Sequence, residues 1–303
     1  VTTGFACNNR CTFCAQGQLY RVNDETRRKS AREQLRQLFE EVEQAPDPTV
    51  VVVGGEPTLD DALPDLIMES RARGATSVHV QTNGRRLAYA NYVRQLKDSG
   101  LDSLEISIAG PREDIHDYHT RARGSFGQSV TGIRNAKRAG LDIGLTLVVT
   151  RSNYRHLFET VELASSLAVR ALHFAFAQPL GRAYADFPRV VPRIEACIPH
   201  LTRAGDLCRQ VGLALFVSGF PRCRLPRVGI FPLQGVAPIP EPSEKPCCDC
   251  KYRAACPGIS AIYRGRYSAA EIVAVRSIDY EQSYPVSSSA PPFVGLGRVE
   301  NSG

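Results

Sequence analysis

Tryptophan is absent, and no apolar run approaches the ~20 residues needed to cross a bilayer. The missing run excludes a single membrane-spanning helix, and no secretory pattern is visible at the start. The chain begins at Val1 and not at Met, so the natural N-terminus is expected upstream. No basic stripe interleaved with aromatics exists, which argues against a nucleic-acid partner. The net charge of +6, from 37 Lys and Arg against 31 Asp and Glu, is a mild bias towards acidic partners on an Arg-rich surface. Histidine is sparse, and His116, His119, His156 and His173 read as structural or surface groups; no general base stands out.

What the chain does hold is cysteine. Ten cysteines fall in 303 residues of which 43% are hydrophobic, enough for a substantial core. Disulfide scaffolds are short secreted chains with dispersed cysteines, whereas here Cys7, Cys11 and Cys14 form one tight group. Cys247, Cys248, Cys250 and Cys256 form another, with Cys223 upstream of it. Dense thiols beside a large core suit metal thiolates in a reducing compartment, so cytoplasmic residence is expected. Soft sulfur ligands select zinc, Cu(I) or iron–sulfur clusters.

Up to about residue 177 the sequence alternates β-rich runs with helical periodicity. Strands are expected at Val1–Phe5, Thr49–Val53, Ser77–Gln81, Ser103–Ile108, Ile143–Val149 and Ala171–Phe176. Helices are expected at Arg32–Glu43, Leu63–Arg73, Ala90–Ser99, Val130–Ala139 and His156–Ser166, with Gly74, Gly100 and Gly140 suited to left-handed caps. Such alternation predicts an α/β fold, a partial (β/α)6 TIM-like barrel of parallel strands with a small cysteine-rich C-terminal extension. Chemistry then belongs at the C-terminal strand ends. A long helix over Arg193–Val211 carries Cys197 and Cys208 on one apolar face as buried structural thiols. The expected division is a barrel over 1–218, an extension over 219–270 rich in proline between Pro221 and Pro246, and a flexible Ser-, Pro- and Gly-rich tail over 271–303.

Cys7, Cys11 and Cys14 make a C-x3-C-x2-C loop directly after the first expected strand. Three thiolates can cap three irons of a cubane and leave the fourth iron open to a substrate or cofactor. A zinc knuckle needs a fourth protein ligand, and no histidine lies nearby. Gly54-Gly55-Glu56-Pro57 closes the second expected strand: glycines allow close backbone approach, while carbonyls and Glu56 can accept hydrogen bonds from a cation. Thr82-Asn83-Gly84 closes the third, and Ser107 the fourth.

Together these segments resemble the radical S-adenosylmethionine superfamily, whose loop reads C-x3-C-x-φ-C with an aromatic at the position of Phe13. The resemblance implies that S-adenosylmethionine chelates the unique iron of a [4Fe–4S] cluster and that one electron splits it into methionine and a 5′-deoxyadenosyl radical. It implies that the segment Gly54, Gly55, Glu56 and Pro57 receives the cofactor's ammonium group, with Thr82, Asn83 and Ser107 beside the cofactor. His116-Asp117 and Arg123-Gly124-Ser125-Phe126 resemble the stretch in which an arginine pairs with the cofactor carboxylate; Arg121 and Arg123 are both candidates here.

Cys247-x2-Cys250-x5-Cys256 is similar to the C-terminal extensions called SPASM and twitch, which bind auxiliary clusters. The resemblance implies that Cys223, Cys247, Cys250 and Cys256 ligate a second [4Fe–4S] cluster. Cys248 offers an alternative C-x-C pairing, and a zinc ribbon from the same thiolates stays open. Tyr263 and Tyr267 either lie over that cluster or simply pack. The function expected is a maturase that abstracts hydrogen from a peptide or protein side chain, served by an external one-electron reductant of flavodoxin or ferredoxin type. A stretch over Gln178–Ala183 is similar to one common in such maturases. The alternatives are a radical dehydrogenase or epimerase acting on a sugar or aminocyclitol, and a non-catalytic cluster carrier. A cobalamin-dependent methyltransferase is disfavoured, since no cobalamin domain stands in these residues.

Overall fold

In the computed structural model, residues 1–17, 35–225, 231–232, 245–253, 256–268 and 270–276 are described. The tail expected to be flexible lies outside these residues from 277 onward, as do most of the proline-rich stretch and the first three residues of the helix expected at Arg32–Glu43. Two compact units divide the chain, Val1–Thr146 and Leu147–Gly303, with the division inside a strand.

The first unit alternates as the sequence predicts. It runs α1 (35–44), β1 (Thr49–Val52), α2 (Leu63–Ala72), β2 (Ser77–Thr82), α3 (Ala90–Asp98), β3 (Ser103–Ser107), α4 (Glu113–Thr120), α5 (Ser125–Arg138) and the start of β4 (Asp142–Val149). Neighbouring strands β1 to β4 pair in chain order and in parallel. Val78, Val80, Leu104, Ile106, Ile143 and Leu145 are at most 1% exposed and form one apolar face of the sheet. Alternation puts these residues on one side of the pleat, and each fully buried side chain of this kind is worth about 1.5–3 kcal/mol. Helix α2 packs on β2, and Ile106 lies against Gly84.

The expected strand Val1–Phe5 survives only as a bridge between Thr2 and Val53. Backbone bonds still run alongside it, from Thr3 N to Val53 O at 3.0 Å and from Gly55 N to Gly4 O at 2.7 Å. Gly4 has φ +115°, which bends the segment out of regular extension and ends the ladder.

The second unit continues from β4 through α6 (Leu157–Ser166), β5 (Ala171–Phe176), α7 (Gly181–Ala185), α8 (Phe187–Val190), α9 (Ile194–Val211), β6 (Ala214–Ser218), β7 (Phe231–Pro232), α10 (Lys245–Cys248) and α11 (Ala261–Tyr267). Strands β5, β6 and β7 pair in parallel. Strand β6 was not expected from the sequence; with the Val1–Phe5 segment reduced to a bridge, the count of six long strands is still met. Helix α9 lies on α6 and buries Cys197 and Cys208 completely, as expected of structural thiols. Burial pushes the Cys208 thiol up to about 12.

Candidate active site

In the first unit, the cysteine loop is held from three sides. Arg10 N–H donates to Thr120 O at 2.8 Å and Thr12 N–H to His119 O at 2.9 Å, so the free carbonyls ending α4 anchor the loop. Phe13 meets the His119 ring at a centroid distance of 6.0 Å. Asn83 Nδ2 donates to Asn8 Oδ1 at 2.6 Å and lies 3.9 Å from Cys7 Sγ. Asn9 N–H points at the same sulfur at 3.4 Å. Burial raises the Cys7 pKa most, partly offset by the Asn9 N–H.

The third side is an arginine that sequence reasoning missed. Arg85 Nη1 donates to Asn8 O and, at 2.9 Å, to Asn9 Oδ1, while its Nε bonds Gln128 on α5 at 2.6 Å. Arg85 follows Thr82-Asn83-Gly84 directly, but nothing in a lone Arg after a turn announces its reach to a loop more than 70 residues earlier.

The Gly54–Pro57 segment is tied both to the cysteine loop and to the Thr82–Gly84 turn. A Cβ at Gly55 would stand 2.3 Å from Phe5 O and 2.4 Å from Ala6 O. The glycine is therefore required for backbone contact with the cysteine loop itself. Glu56 is 3% exposed, and its Oε1 accepts from Thr58 N–H at 3.1 Å, Thr58 Oγ1 at 2.6 Å and Thr82 Oγ1. Its Oε2 accepts Asn83 N–H at 2.7 Å. A carboxylate offers about four acceptor positions, so the protein's own donors fill most of them. Burial raises the Glu56 pKa and these hydrogen bonds pull it back. Glu56 is thus a strut joining the segment to the Thr82–Gly84 turn. Gly55→Ala is expected to displace the cysteine loop, measured as iron bound per chain well below that of the unmodified protein after reconstitution.

Ser107 is exposed at the C-terminal end of β3. Asp117 on α4 accepts from Gly124 N–H, Ser125 Oγ at 2.8 Å and Phe126 N–H at 2.9 Å, capping α5 from a neighbouring helix. Burial would raise its pKa, but the bonds from Phe126, Ser125 and Gly124 win and hold it below the usual value. Arg121 and Arg123 are both exposed in the loop that this cap closes. Arg121 takes a left-handed conformation, φ 53°, as the α4 cap, an uncommon one for a residue with a Cβ. His116 is 1% exposed with Nδ1 accepting from Ala109 N–H at 3.2 Å, and burial pushes it down to about 4. It is a neutral core group near pH 7, as is His173, which bonds Ser218 at 2.9 Å.

The later cysteines lie in the second unit. Cys223 sits in a one-turn helix over Arg222–Arg224, and its thiol pKa is raised by burial first and also by Cys256, Cys250 and Cys247 beside it. Cys256 Sγ accepts from Arg222 N–H at 3.3 Å and Gly258 N–H at 3.4 Å. Cys248 is exposed while the other four are half-buried. Among the described residues, no three of these side chains already stand at metal-coordinating separation. Tyr263 is 2% exposed; its hydroxyl donates to Glu271 at 3.1 Å and accepts Ile194 N–H at 2.8 Å, and its ring packs on Phe176, Phe187 and Tyr267. Both tyrosines are packing groups, with Tyr267 bonded to Val191 O at 2.9 Å.

The donor sets fit soft metal clusters: half-buried thiols with peptide N–H groups aimed at sulfur, and no carboxylate among them. Against known proteins, the family model described as the radical SAM superfamily matches residues 1–164. The chain belongs to the radical SAM superfamily, an enzyme family that uses S-adenosylmethionine and a [4Fe–4S] cluster. An AdoMet-dependent heme synthase of Oleidesulfovibrio alaskensis is 29% identical over 59% of this chain and 45% of its own. A probable GTP 3′,8-cyclase of Metallosphaera sedula is 32% identical over 62% of this chain and 57% of its own. The chain therefore spans about half the length of the curated relatives it matches. Streptococcus suis SuiB bound to S-adenosylmethionine has the same fold, with a TM-score of 0.57 at 15% identity over 73% of this chain and 50% of that one. The α/β fold with parallel strands is thus the radical SAM partial barrel that the motifs implied. No helix among the described residues is long and apolar enough to cross a membrane.

Proposed function

We propose that this chain holds a [4Fe–4S] cluster on Cys7, Cys11 and Cys14, cleaves S-adenosylmethionine there, and abstracts hydrogen from a peptide or protein side chain. The bound cluster and cofactor supply the reductive cleavage that yields the 5′-deoxyadenosyl radical. The protein's own residues bind and orient. Backbone carbonyls of Gly54 and Gly55 receive the cofactor's ammonium group, with Pro57 setting the turn. Glu56 fixes that turn to Thr82 and Asn83. Ser107 meets the cofactor from the end of β3, and Arg121 or Arg123 meets its carboxylate. Phe13 shields the loop. An external flavodoxin- or ferredoxin-type reductant supplies the electron, and a reducing cytoplasm suits the thiolates.

The observation that carries the peptide reading is the second thiol group, Cys223 with Cys247, Cys250 and Cys256 beside it. We assign these four to an auxiliary [4Fe–4S] cluster in a twitch-like extension over 219–270. Such a cluster would accept the electron that a substrate radical gives up. SuiB, whose fold this chain shares, has been solved with its precursor peptide SuiA. Favouring a small-molecule substrate instead are the relatives named for heme and GTP chemistry.

The test is iron and zinc content after anaerobic reconstitution of a variant with Cys7, Cys11 and Cys14 all replaced by Ala. About four irons per chain are expected to remain. Zinc in place of iron would make the second group a structural clip and remove the main support for a peptide oxidation.

A further inference from the structure

A parallel sheet normally buries both faces and carries apolar residues on each. Strands β2, β3 and β4 depart from this. Opposite their apolar face stand His79, Gln81, Ser103, Glu105, Ser107 and Thr146, on alternate positions of the three strands. These side chains bond across the strands: His79 with Ser103, Gln81 Nε2 to Glu105 Oε2 at 3.0 Å, and Thr146 Oγ1 to Glu105 Oε1. His79 and Gln81 are only half-buried and Ser107 is exposed, although all three belong to inner strands.

Glu105 is the unusual member. It is 7% exposed, and among the described residues no cation offsets its charge. Two donors occupy about half of its acceptor capacity, in contrast to the four donors around Glu56. Burying a carboxylate this poorly compensated is costly, and such groups concentrate at functional sites. Burial pushes the Glu105 carboxyl up to about 7, with the bonds from Thr146 and Gln81 opposing the rise. Among the described residues, no unpaired cation acts on Glu105. On β2, burial lowers the pKa of His79 and keeps it neutral; Arg71, the cation nearest that ring, is paired with Asp102 at the foot of β3.

We propose that the polar face of β2–β4 is a binding surface for a cationic group of the substrate, an ammonium or guanidinium, and that Glu105 is its counter-charge. Glu105 lies two residues below Ser107, roughly 6.6 Å along the strand. A lysine or arginine side chain entering at the strand ends passes Ser107 and Gln81 and ends on the carboxylate. This deepens the peptide reading and rests on it for the point of entry. The cation is attracted only to the ionised carboxylate, so affinity rises through the Glu105 titration. The gain from pH 6 to pH 8 is roughly tenfold.

The test needs neither cluster nor cofactor, so it fails or succeeds independently of the radical chemistry. In protein labelled with 13C at the glutamate carboxyls, the Glu105 signal is assigned by its disappearance in Glu105→Gln and titrated with pH. With about 100 mM n-butylguanidinium, a concentration suited to millimolar affinity, the Glu105 pKa is expected to fall by about one unit or more; neutral n-butylurea leaves it in place. Glu105→Gln, nearly isosteric, is expected to bind n-butylguanidinium about tenfold more weakly at pH 8 and to lose the pH dependence. A Glu105 pKa that does not move with n-butylguanidinium would overturn the assignment. So would equal binding by Glu105→Gln, whatever the iron content or the reaction.

Discussion

Cys11→Ala, reconstituted and reduced anaerobically, is expected to form no measurable 5′-deoxyadenosine from S-adenosylmethionine. The loss relative to the unmodified chain should be at least about 10³-fold, equivalent to about 4 kcal/mol of lost barrier lowering. The size follows from the ligand count. In the proposed site three thiolates on one short loop hold three irons, and no spare cysteine lies within the loop to replace one of them. Cys248→Ala is the control: Cys248 is exposed and outside both thiol sets assigned here, so its variant should cleave the cofactor at the unmodified rate. High-performance liquid chromatography of the quenched reaction reads both.

Glu56→Ala is expected to cost about 3–5 kcal/mol of folding stability, the scale seen when a buried group with several bonds is deleted. The change leaves Thr58 N–H, Asn83 N–H and two threonine hydroxyls without their acceptor, and it disconnects the Gly54–Pro57 segment from the Thr82–Gly84 turn. Urea denaturation measures it. Glu56→Gln keeps the shape but presents an amide N–H to one of those donors, so a smaller loss is expected. The pH dependence has a definite sign. Because burial raises the folded pKa of Glu56 above its unfolded value, the proton-linked part of its stability is fully present below the unfolded pKa. It is lost as pH rises through the folded pKa. The advantage of the unmodified chain over Glu56→Gln should therefore narrow as pH rises above the ordinary carboxylate range.

The architecture was legible because its signals are local. Alternating Val and Leu runs and glycines after helices place β2, β5 and α9 within a residue or so of their observed bounds. Helix α4 was overlooked as an element, since Glu113–Thr120 is short and carries two buried histidines in place of aliphatic residues. Strand β6 follows α9 after a turn at Gly212, without the longer break that marks the earlier strands. At the site, residue types were visible and roles were not. Glu56 reads as an acceptor in sequence, but its bond with Thr82, 26 residues away, is a contact that spacing does not reveal. Arg85 and Glu105 gave no motif signal, because each acts through contacts across strands or loops that spacing does not encode.

The second thiol group shows the same limit from the other side. Spacing alone allowed either Cys247 or Cys248 beside Cys250. Exposure distinguishes the two without deciding the ligand: Cys248 faces solvent, whereas Cys247 is half-buried and acts electrostatically on Cys223. Helix α10 ends on Cys248, so adjacent residues on a single turn point apart.

The most direct test of the central claim is the anaerobic reaction of the reduced, iron-loaded chain with S-adenosylmethionine alone, before any substrate is known. The account predicts methionine and 5′-deoxyadenosine in equal amounts, formation that disappears in Cys11→Ala and persists in Cys248→Ala. A chain that binds its full iron and S-adenosylmethionine yet forms no 5′-deoxyadenosine would contradict it.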